Sequence, residues 1–588
     1  MTKPHLVLLH APSVYDFRKE AILYGPISDL VPSTPIFEMY PIGFTTLAEY
    51  LERHGFRTRI VNLAVRMLRD RDFDAEAFIA SLDPLAFGID LHWLPHAQGA
   101  LEVAKIVKRH HPQTPVIMGG FSASYYHQEL VTRQEVDYVL RGDSTEGPLL
   151  QLMKALVSRG PLDSVANLTW RDERGRLKVN PFTYLPPDLS DVALDYSHLV
   201  KAVVRDRDLA SNIPFFNWLE YPIMASLSCR GCTQGCVTCG GSAYASRHLF
   251  GREKPAYRTP EMLAQDIKDI KRFSRGPVFL LGDLRQAGID YAQELLSSLR
   301  GVEGEAIVEL FAPASQEYLE EVVSSFPRLC LEFSLESHDP KVRRAFGKGY
   351  SSLQDPGGNE EVEATIRHAL EAGCQRLDIF FMIGLPQQTP QSVMETIDYC
   401  GALLERFGGD GRLHPYISPL APFLDPGSQA FEQPRKYGYR LFYRTLEEHR
   451  RALLSPSWKC ILNYETRWMK RGEIVETTYE AQLRLSRLKA AYGLISDEER
   501  LATEERISKA KELIGRIDRL LEIEDEVQRK GELQALKPQM DEVNFATLHE
   551  DRELALPVGW GRWNPFWAVW LLAQEWWDNL KGGRRAPS

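Results

Sequence analysis

Short apolar runs alternate with helical stretches along most of this chain, and that alternation leaves few folds open to it. His5–Pro12 reads as a buried strand ending in a loop. Gly43–His54 reads as a helix with Leu47, Ala48 and Leu51 on one face, closed by Gly55. Thr58–Asn62, Leu85–Asp90, Pro115–Gly120 and Tyr138–Asp143 follow as strands, with helices at Ala100–Arg109 and Leu149–Leu156. This order predicts a doubly wound parallel sheet over residues 1–160. Ligands of such sheets lie at the carboxyl ends of the strands. Those ends carry Pro12, Ser13, Asp90, His92, Trp93, Gly119, Gly120, Phe121, Ser122 and Gly142. Residues 161–215 read as a polar linker punctuated by Pro181, Pro186 and Pro187, with a small hairpin at Trp170–Arg176. Strands resume at Tyr221–Ser228, Pro277–Asp283, Ala306–Ala312, Leu329–Glu336, Leu377–Ile383 and His414–Pro419. Helices such as Pro260–Phe273 and Glu361–Ala372 lie between them, so residues 216–430 fit a (β/α) barrel with its chemistry at the carboxyl ends.

Three cysteines follow the first barrel strand. Cys232, Cys236 and Cys239 stand in the segment Ser226–Gly241 with the spacing C-x3-C-x2-C. Cubane iron–sulfur clusters are normally held by four thiolates. A compact triplet can ligate three irons and leave the fourth open to a substrate or cofactor. A structural zinc site needs four ligands, and Cys229 would complete two knuckles, Cys229-x2-Cys232 and Cys236-x2-Cys239. Only three residues would part those knuckles, against about 15–20 in a zinc ribbon. A disulfide framework is disfavoured, because eight cysteines in 588 residues are sparse and no signal peptide is read at the start. Cys229 reads as a bystander or a redox partner. Cys330, Cys374, Cys400 and Cys460 are isolated and read as structural thiols.

The cysteine spacing closely resembles that of radical S-adenosylmethionine (SAM) enzymes. Pro41-Ile-Gly43, Gly119-Gly120 and Arg141-Gly-Asp-Ser-Thr-Glu146 resemble the cobalamin-binding domain that precedes many radical SAM domains. The expected fold class is therefore α/β: a Rossmann-like cobalamin-binding domain, a partial (β/α)6 radical SAM barrel, and a helical C-terminal region over residues 431–588. A flavodoxin-like domain that binds nothing, or another nucleotide, is the bland alternative for the first unit. Asp90-Leu-His92 departs from the D-x-H-x-x-G pattern that supplies a histidine to cobalt, since Pro95 replaces the glycine and the segment follows the third strand. No histidine ligand is expected, and His92, Trp93 and His96 read as pocket lining. The resemblance implies cluster ligation by Cys232, Cys236 and Cys239. It implies SAM contacts at Asp283, Glu336, Ser337, Arg343, Gly384 and Pro386, where Val342-Arg-Arg344 and Gly347-Lys348 continue the motif and an arginine fork suits a carboxylate. The usual Gly-Gly-Glu is absent at Gly282-Asp283, and Thr238 replaces a common aromatic residue. Tyr416 and Asp425 are candidates for a general base.

The implied cofactors are a [4Fe–4S] cluster, SAM and cobalamin, with an external one-electron reductant. The implied activity is methylation of an unactivated carbon through a 5′-deoxyadenosyl radical and methylcobalamin. Ring closure or oxidative rearrangement uses the same parts, and a non-catalytic cobalamin or iron–sulfur sensor is a rival of another class. A tRNA-methylthiolating enzyme would carry cysteines in its N-terminal domain, and none precedes Cys229 here. A formal charge of −10 also disfavours a nucleic-acid partner. No run of 18 apolar residues occurs, so no spanning helix is expected, and the implied oxygen-sensitive cluster with no export signal read at the start points to a cytoplasmic location. Glu498–Lys530 reads as an amphipathic helix. Trp560, Trp563, Trp567, Trp570, Trp576 and Trp577 crowd into Leu556–Lys581, with Lys581, Arg584 and Arg585 at its end. Such a segment either packs on the barrel or makes peripheral contact with a membrane, which would suit a small or lipid-like substrate.

Overall fold

The structure is a computed structural model describing residues 3–26, 33–348, 359–420, 422–544, 553 and 564–580. Trp560, Trp563, Lys581, Arg584 and Arg585 fall outside this set. The first sheet holds seven strands: β1 (Leu6–His10), β2 (Thr58–Asn62), β3 (Ala86–Asp90), β4 (Val116–Gly119), β5 (Tyr138–Leu140), β6 (Leu168–Arg171) and β7 (Leu177–Val179). Their order is β2-β1-β3-β4-β5-β6-β7. Every residue of β1 and β3 is buried, as strands covered on both faces require. The pairs from β2 to β5 are parallel, so the order turns back between β1 and β3. That switch point opens a crevice at the ends of β1 and β3.

The hairpin expected within a linker instead extends this sheet. β6 pairs antiparallel with β5, and β7 with β6. Asn180 fastens it, its amide donating to the carbonyls of Leu162 (2.7 Å) and Val165 (2.8 Å). Polar composition had suggested a free connection, but a sheet edge tolerates polar residues facing water.

The second sheet comprises β8 (Met224–Ser226), then β11 (Val278–Leu280), β12 (Glu305–Leu310), β13 (Arg328–Glu336), β14 (Arg376–Ile383) and β15 (Leu413–Pro419). A two-stranded ladder of β9 (Cys229–Arg230) and β10 (Ala256–Tyr257) lies between β8 and β11 in the chain. The six-stranded sheet has the order β15-β14-β13-β12-β11-β8, parallel throughout. Alternation sorts its side chains. Leu377, Ile379, Phe381 and Ile383 of β14 are fully buried, whereas Phe380 and Met382 on the other face are half-buried.

Beyond the barrel, the helix Arg471–Ala491 packs on Pro390–Phe407 and β15, and Asp497–Leu520 and Glu526–Asn544 stack on it in turn. The single helix expected over Glu498–Lys530 is broken near Leu521. Asp525 starts the next helix, its carboxylate accepting from the amides of Val527 and Gln528 at 2.9 Å. Helix Pro565–Leu580 lies on Ser197–Asp206 and Pro260–Phe273. Among the described residues, no helix is long and apolar enough to cross a membrane.

Candidate functional site

The cysteine loop is built from its backbone outward. β9 leads into it, and Ser242 closes it by capping the helix Ala243–Phe250. The Val237 amide donates to Phe346 O at 2.8 Å, and the Ala243 amide to Gln234 O at 2.9 Å. Gly347 makes this close approach feasible: a Cβ there would lie 2.3 Å from Gly235 O. Two amides already serve the sulfurs, from Gln234 to Cys232 Sγ and from Gly241 to Cys239 Sγ, each at 3.3 Å. Gln286, which carried no sequence signal, also meets Cys232, with Sγ 3.2 Å from its Oε1.

All four loop thiols are free. Burial pushes Cys229 up to about 11 and Cys236 up to about 12, and raises Cys232 as well. Cys239 keeps open surface, although desolvation lifts its thiol too. Cys229 stands apart on the ladder, paired with Tyr257, and its thiol faces Gly231 O at 3.6 Å. Among the described residues, no three His, Cys, Asp or Glu side chains converge where one metal ion would fit. The donors present are instead three soft thiols spaced around a loop whose amides already point at sulfur, which suits a polynuclear iron–sulfur centre.

Charged groups crown the strand ends beside this loop. Lys348 is buried, donates to Ser334 O at 3.0 Å and pairs with Glu336 at 3.3 Å. Glu309 accepts from the Gly282 amide, and burial pushes it up to about 7. Asp425 accepts from the Gly240 amide at 2.9 Å, and burial pushes it up to about 6. It therefore braces the cysteine loop. The other candidate base, Tyr416, is locked away, with Arg376 Nη2 2.6 Å from its hydroxyl and Glu553 O accepting from it.

Two of the expected SAM contacts have other partners. The Asp283 carboxylate receives Arg285 Nε at 2.9 Å and the Phe311 amide at 2.9 Å, besides the Arg285 amide. It holds the loop after β11 and has little acceptor capacity left over. Arg343 is fully buried, and its Nη1 donates to Ser337 O (2.8 Å), His338 O (2.9 Å) and Asn359 Oδ1 (2.9 Å). It shapes the turn that carries Glu336 and Ser337. Gly384 lies at φ +100°, and Tyr439 donates to its carbonyl at 2.9 Å. Gln388 accepts from the Gly384 and Leu385 amides, which places Pro386 in a tight turn.

On the first sheet, the expected residues gather at the switch point. His10, which read only as a strand residue, ends β1 with Nδ1 2.9 Å from Asp90 Oδ1 and Nε2 3.0 Å from Phe37 O. Burial pulls His10 down, but Asp90 outweighs it and leaves the ring above its ordinary value. Burial, aided by His10, pushes His96 down to about 4. Ser13 Oγ, Asp90 Oδ2 and His96 Nδ1 are buried without a protein partner. Three unsatisfied polar atoms in one crevice fit a polar ligand tail. Pro12 backs onto Gly99, where a Cβ would meet Pro12 O at 1.8 Å. Gly119 ends β4, and a Cβ on Gly120 would strike His92 Cα at 2.5 Å. The Ser122 amide donates to His92 O at 3.2 Å. Gly142 packs on Phe182 rather than opening into the crevice.

Rings continue from this crevice to the barrel. Trp93, His92, Phe121 and Phe250 follow one another at centroid distances of 5.6, 5.1 and 5.5 Å. Phe250 ends the helix after the cysteine loop. A Cβ built on Gly241 would lie 3.8 Å from Cys239 Sγ and 3.9 Å from Phe121 Cε2. Ion pairs fix the two sheets beside each other: Arg230 reaches Glu146 (2.8 Å), and Arg252 reaches Asp143 (2.9 Å). Two acids of the Arg141–Glu146 segment thus face barrel arginines.

Residues 31–149 match the model of the B12 binding domain, and residues 226–400 match that of the Radical SAM superfamily. The chain belongs to the radical SAM proteins that carry a B12-binding domain. The cofactors of this family are cobalamin, a [4Fe–4S] cluster and SAM. The hopanoid C-3 methylase of Methylococcus capsulatus is 25% identical over 273 residues, covering 46% of this chain and 47% of that protein. The chain thus spans about half the length of that relative. The cytidylyl-2-hydroxyethylphosphonate methyltransferase of Streptomyces wedmorensis is 20% identical, covering 73% of this chain and 86% of its own. Among solved structures, the radical SAM methyltransferase TsrM from Kitasatospora setae, with cobalamin and a [4Fe–4S] cluster bound, matches with a TM-score of 0.56 at 16% identity. That match covers 87% of this chain and all of the other. The cobalamin-dependent SAM radical enzyme OxsB matches with a TM-score of 0.56 at 13% identity, over 99% of this chain and 81% of the other. At such identities these likenesses establish the shared fold.

Proposed function

We propose that this chain is a cobalamin-dependent radical SAM enzyme that methylates an unactivated carbon of a small or lipid-like substrate. The observation that supports this most directly is the meeting of the two loops at Gly241, between Cys239 and Phe121. Bound there, the cluster supplies an electron for cleavage of SAM and cobalamin supplies the methyl group. The work of the chain is to hold and shield these groups. In this reading Cys232, Cys236 and Cys239 ligate the cluster, and the Gln234 and Gly241 amides stabilise charge on sulfur. Glu336, Ser337, Gly384 and Pro386 border the SAM site, with Arg343 and Asp283 as struts. Lys348, the buried cation beside Glu336, holds that carboxylate and the Ser334 carbonyl at the edge of the same site.

Pro12, Ser13, Asp90, His92, Trp93, Gly119, Gly120, Phe121 and Ser122 border the cobalamin, and the ring row keeps water from the space between the sites. Gly142 supports that crevice from its place against Phe182. The domain division at residues 215 and 430, with the hairpin β6–β7 counted in the first unit, belongs to the same proposal, as do the external reductant and a cytoplasmic location with peripheral membrane contact. The two curated relatives are named for different substrates, a hopanoid and a phosphonate. The hopanoid relative favours the lipid-like class.

The test is anaerobic reconstitution with iron, sulfide and cobalamin, followed by reduction with methyl-labelled SAM and candidate lipids. The expected products are 5′-deoxyadenosine and labelled lipid, both lost in Cys232→Ala. Cleavage with the label recovered only in methionine and none in lipid would sink the methylation reading, and no cleavage with any lipid would favour a sensor.

A further inference from the structure

The helix Pro565–Leu580 is amphipathic in the wrong sense for a part of the core. Its inward side is tied down: Leu571 is buried, Trp567 packs on the core, and Asn564 donates to Arg272 O at 2.8 Å. Asn564 also caps the helix, accepting from the Trp567 amide at 3.2 Å. The outward side is apolar. Phe566, Val569, Trp570 and Trp576 are exposed by 85, 63, 50 and 58%. Their spacing of three, four and ten residues from Phe566 places them on one stripe. Trp570 stacks on Trp567 with centroids 4.4 Å apart, so the exposed ring is held by the anchored one.

We propose that this stripe docks the enzyme on an anionic lipid surface, with the helix lying in the plane of the headgroups. The inference deepens the functional reading above and rests on its lipid-like substrate. Two features select this occupant. Tryptophan prefers the boundary between headgroup and acyl chain, where one part of the ring is dry and the other wet. The flanks of the helix are also basic where the whole chain is acidic: Arg562 precedes it and Lys581, Arg584 and Arg585 follow, against Glu575 and Asp578 within it and a net charge of −10 overall. A cationic border on an anionic protein is suited to acidic headgroups. The helix has only 16 residues, which suits lying on a bilayer rather than crossing it.

The experiment uses the full-length, cofactor-loaded protein with vesicles of phosphatidylglycerol and phosphatidylcholine, followed by sedimentation. The protein should sediment with the anionic vesicles and much less with pure phosphatidylcholine. Trp570→Ala with Trp576→Ala should lower partitioning at least about tenfold. Arg584→Ala with Arg585→Ala should lower it about fivefold per charge at low salt and little at high salt. Both double variants should keep the wild-type cluster absorbance, cobalamin content and SAM cleavage. Equal partitioning of the tryptophan variant and the wild type would overturn the proposal. So would a wild-type dimer by light scattering that falls to a monomer in that variant, because the stripe would then face a second copy. Vesicle binding without SAM cleavage would leave docking intact and remove the enzymatic reading instead.

Discussion

Glu309 and Gly384 show how single residues set the conditions at the barrel mouth. Glu309 is held protonated by burial, with a value of about 7 in the fold against about 4.3 in an unfolded chain. The folded state therefore binds more protons across that interval, and stability should fall as pH rises from about 4.5 to 7. Below that window the contribution is complete. Glu309→Gln should flatten this part of the stability profile, read by urea denaturation of the unloaded protein at a series of pH values. An unchanged profile would mean that the carboxyl is already solvated. Gly384 is constrained twice, by its positive φ and by Tyr464, whose hydroxyl would lie 2.4 Å from an added Cβ. Gly384→Ala should cost about 1–3 kcal/mol, seen as a lower thermal midpoint. The cysteine triplet was readable at this scale because its spacing is local. Motif position does not reveal burial: Arg343 and Asp283 lie where a ligand contact is expected, and each also satisfies neighbours within the chain. Gln286 meets the loop, and Glu309 the Gly282 amide beside it, only through the fold, so no local pattern announced them.

At the scale of elements, periodicity did well where both faces of a strand or one face of a helix are buried. The six barrel strands and the helix Pro260–Phe273 appear where the apolar pattern put them. It failed where a local cap or a sheet edge decided the outcome. β6 and β7 are polar enough to read as a connection, and the restart of the helix after the break near Leu521 is capped by the carboxylate of Asp525. Asp525→Ala should therefore loosen the start of helix Glu526–Asn544, at about 0.5–2 kcal/mol. Hydrogen exchange should show faster turnover of the Val527 and Gln528 amides, with the barrel strands unaffected. The tryptophan-rich segment had two readings, packing or interface. The described helix does the first with Leu571 and Trp567 and leaves its other side exposed, and the interface reading rests on the proposal above.

For the whole molecule, the strand order and the cysteine spacing each pointed to one sheet, but their mutual placement was not legible. It depends on pairs far apart in sequence, such as Arg230 with Glu146 and Arg252 with Asp143. It also depends on Phe121 reaching the far side of Gly241. This junction yields a test of whether closeness between the sites matters beyond occupancy of each. A Cβ at Gly241 meets its neighbours at ordinary van der Waals distances, so Gly241→Ala should retain both cofactors and both half-reactions. Gly241→Leu adds a branched side chain that must displace the Phe121 ring or the Cys239 sulfur. If the two sites work as one chamber, this variant should keep its cobalamin content and much of its SAM cleavage. It should lose methyl transfer by a larger factor, because cleavage needs the cluster side alone and transfer needs both sites in register. Comparing 5′-deoxyadenosine with labelled product separates the two losses. Equal loss of both would place Gly241 in the support of the cluster only, and the convergence at Phe121 would then be packing without catalytic consequence.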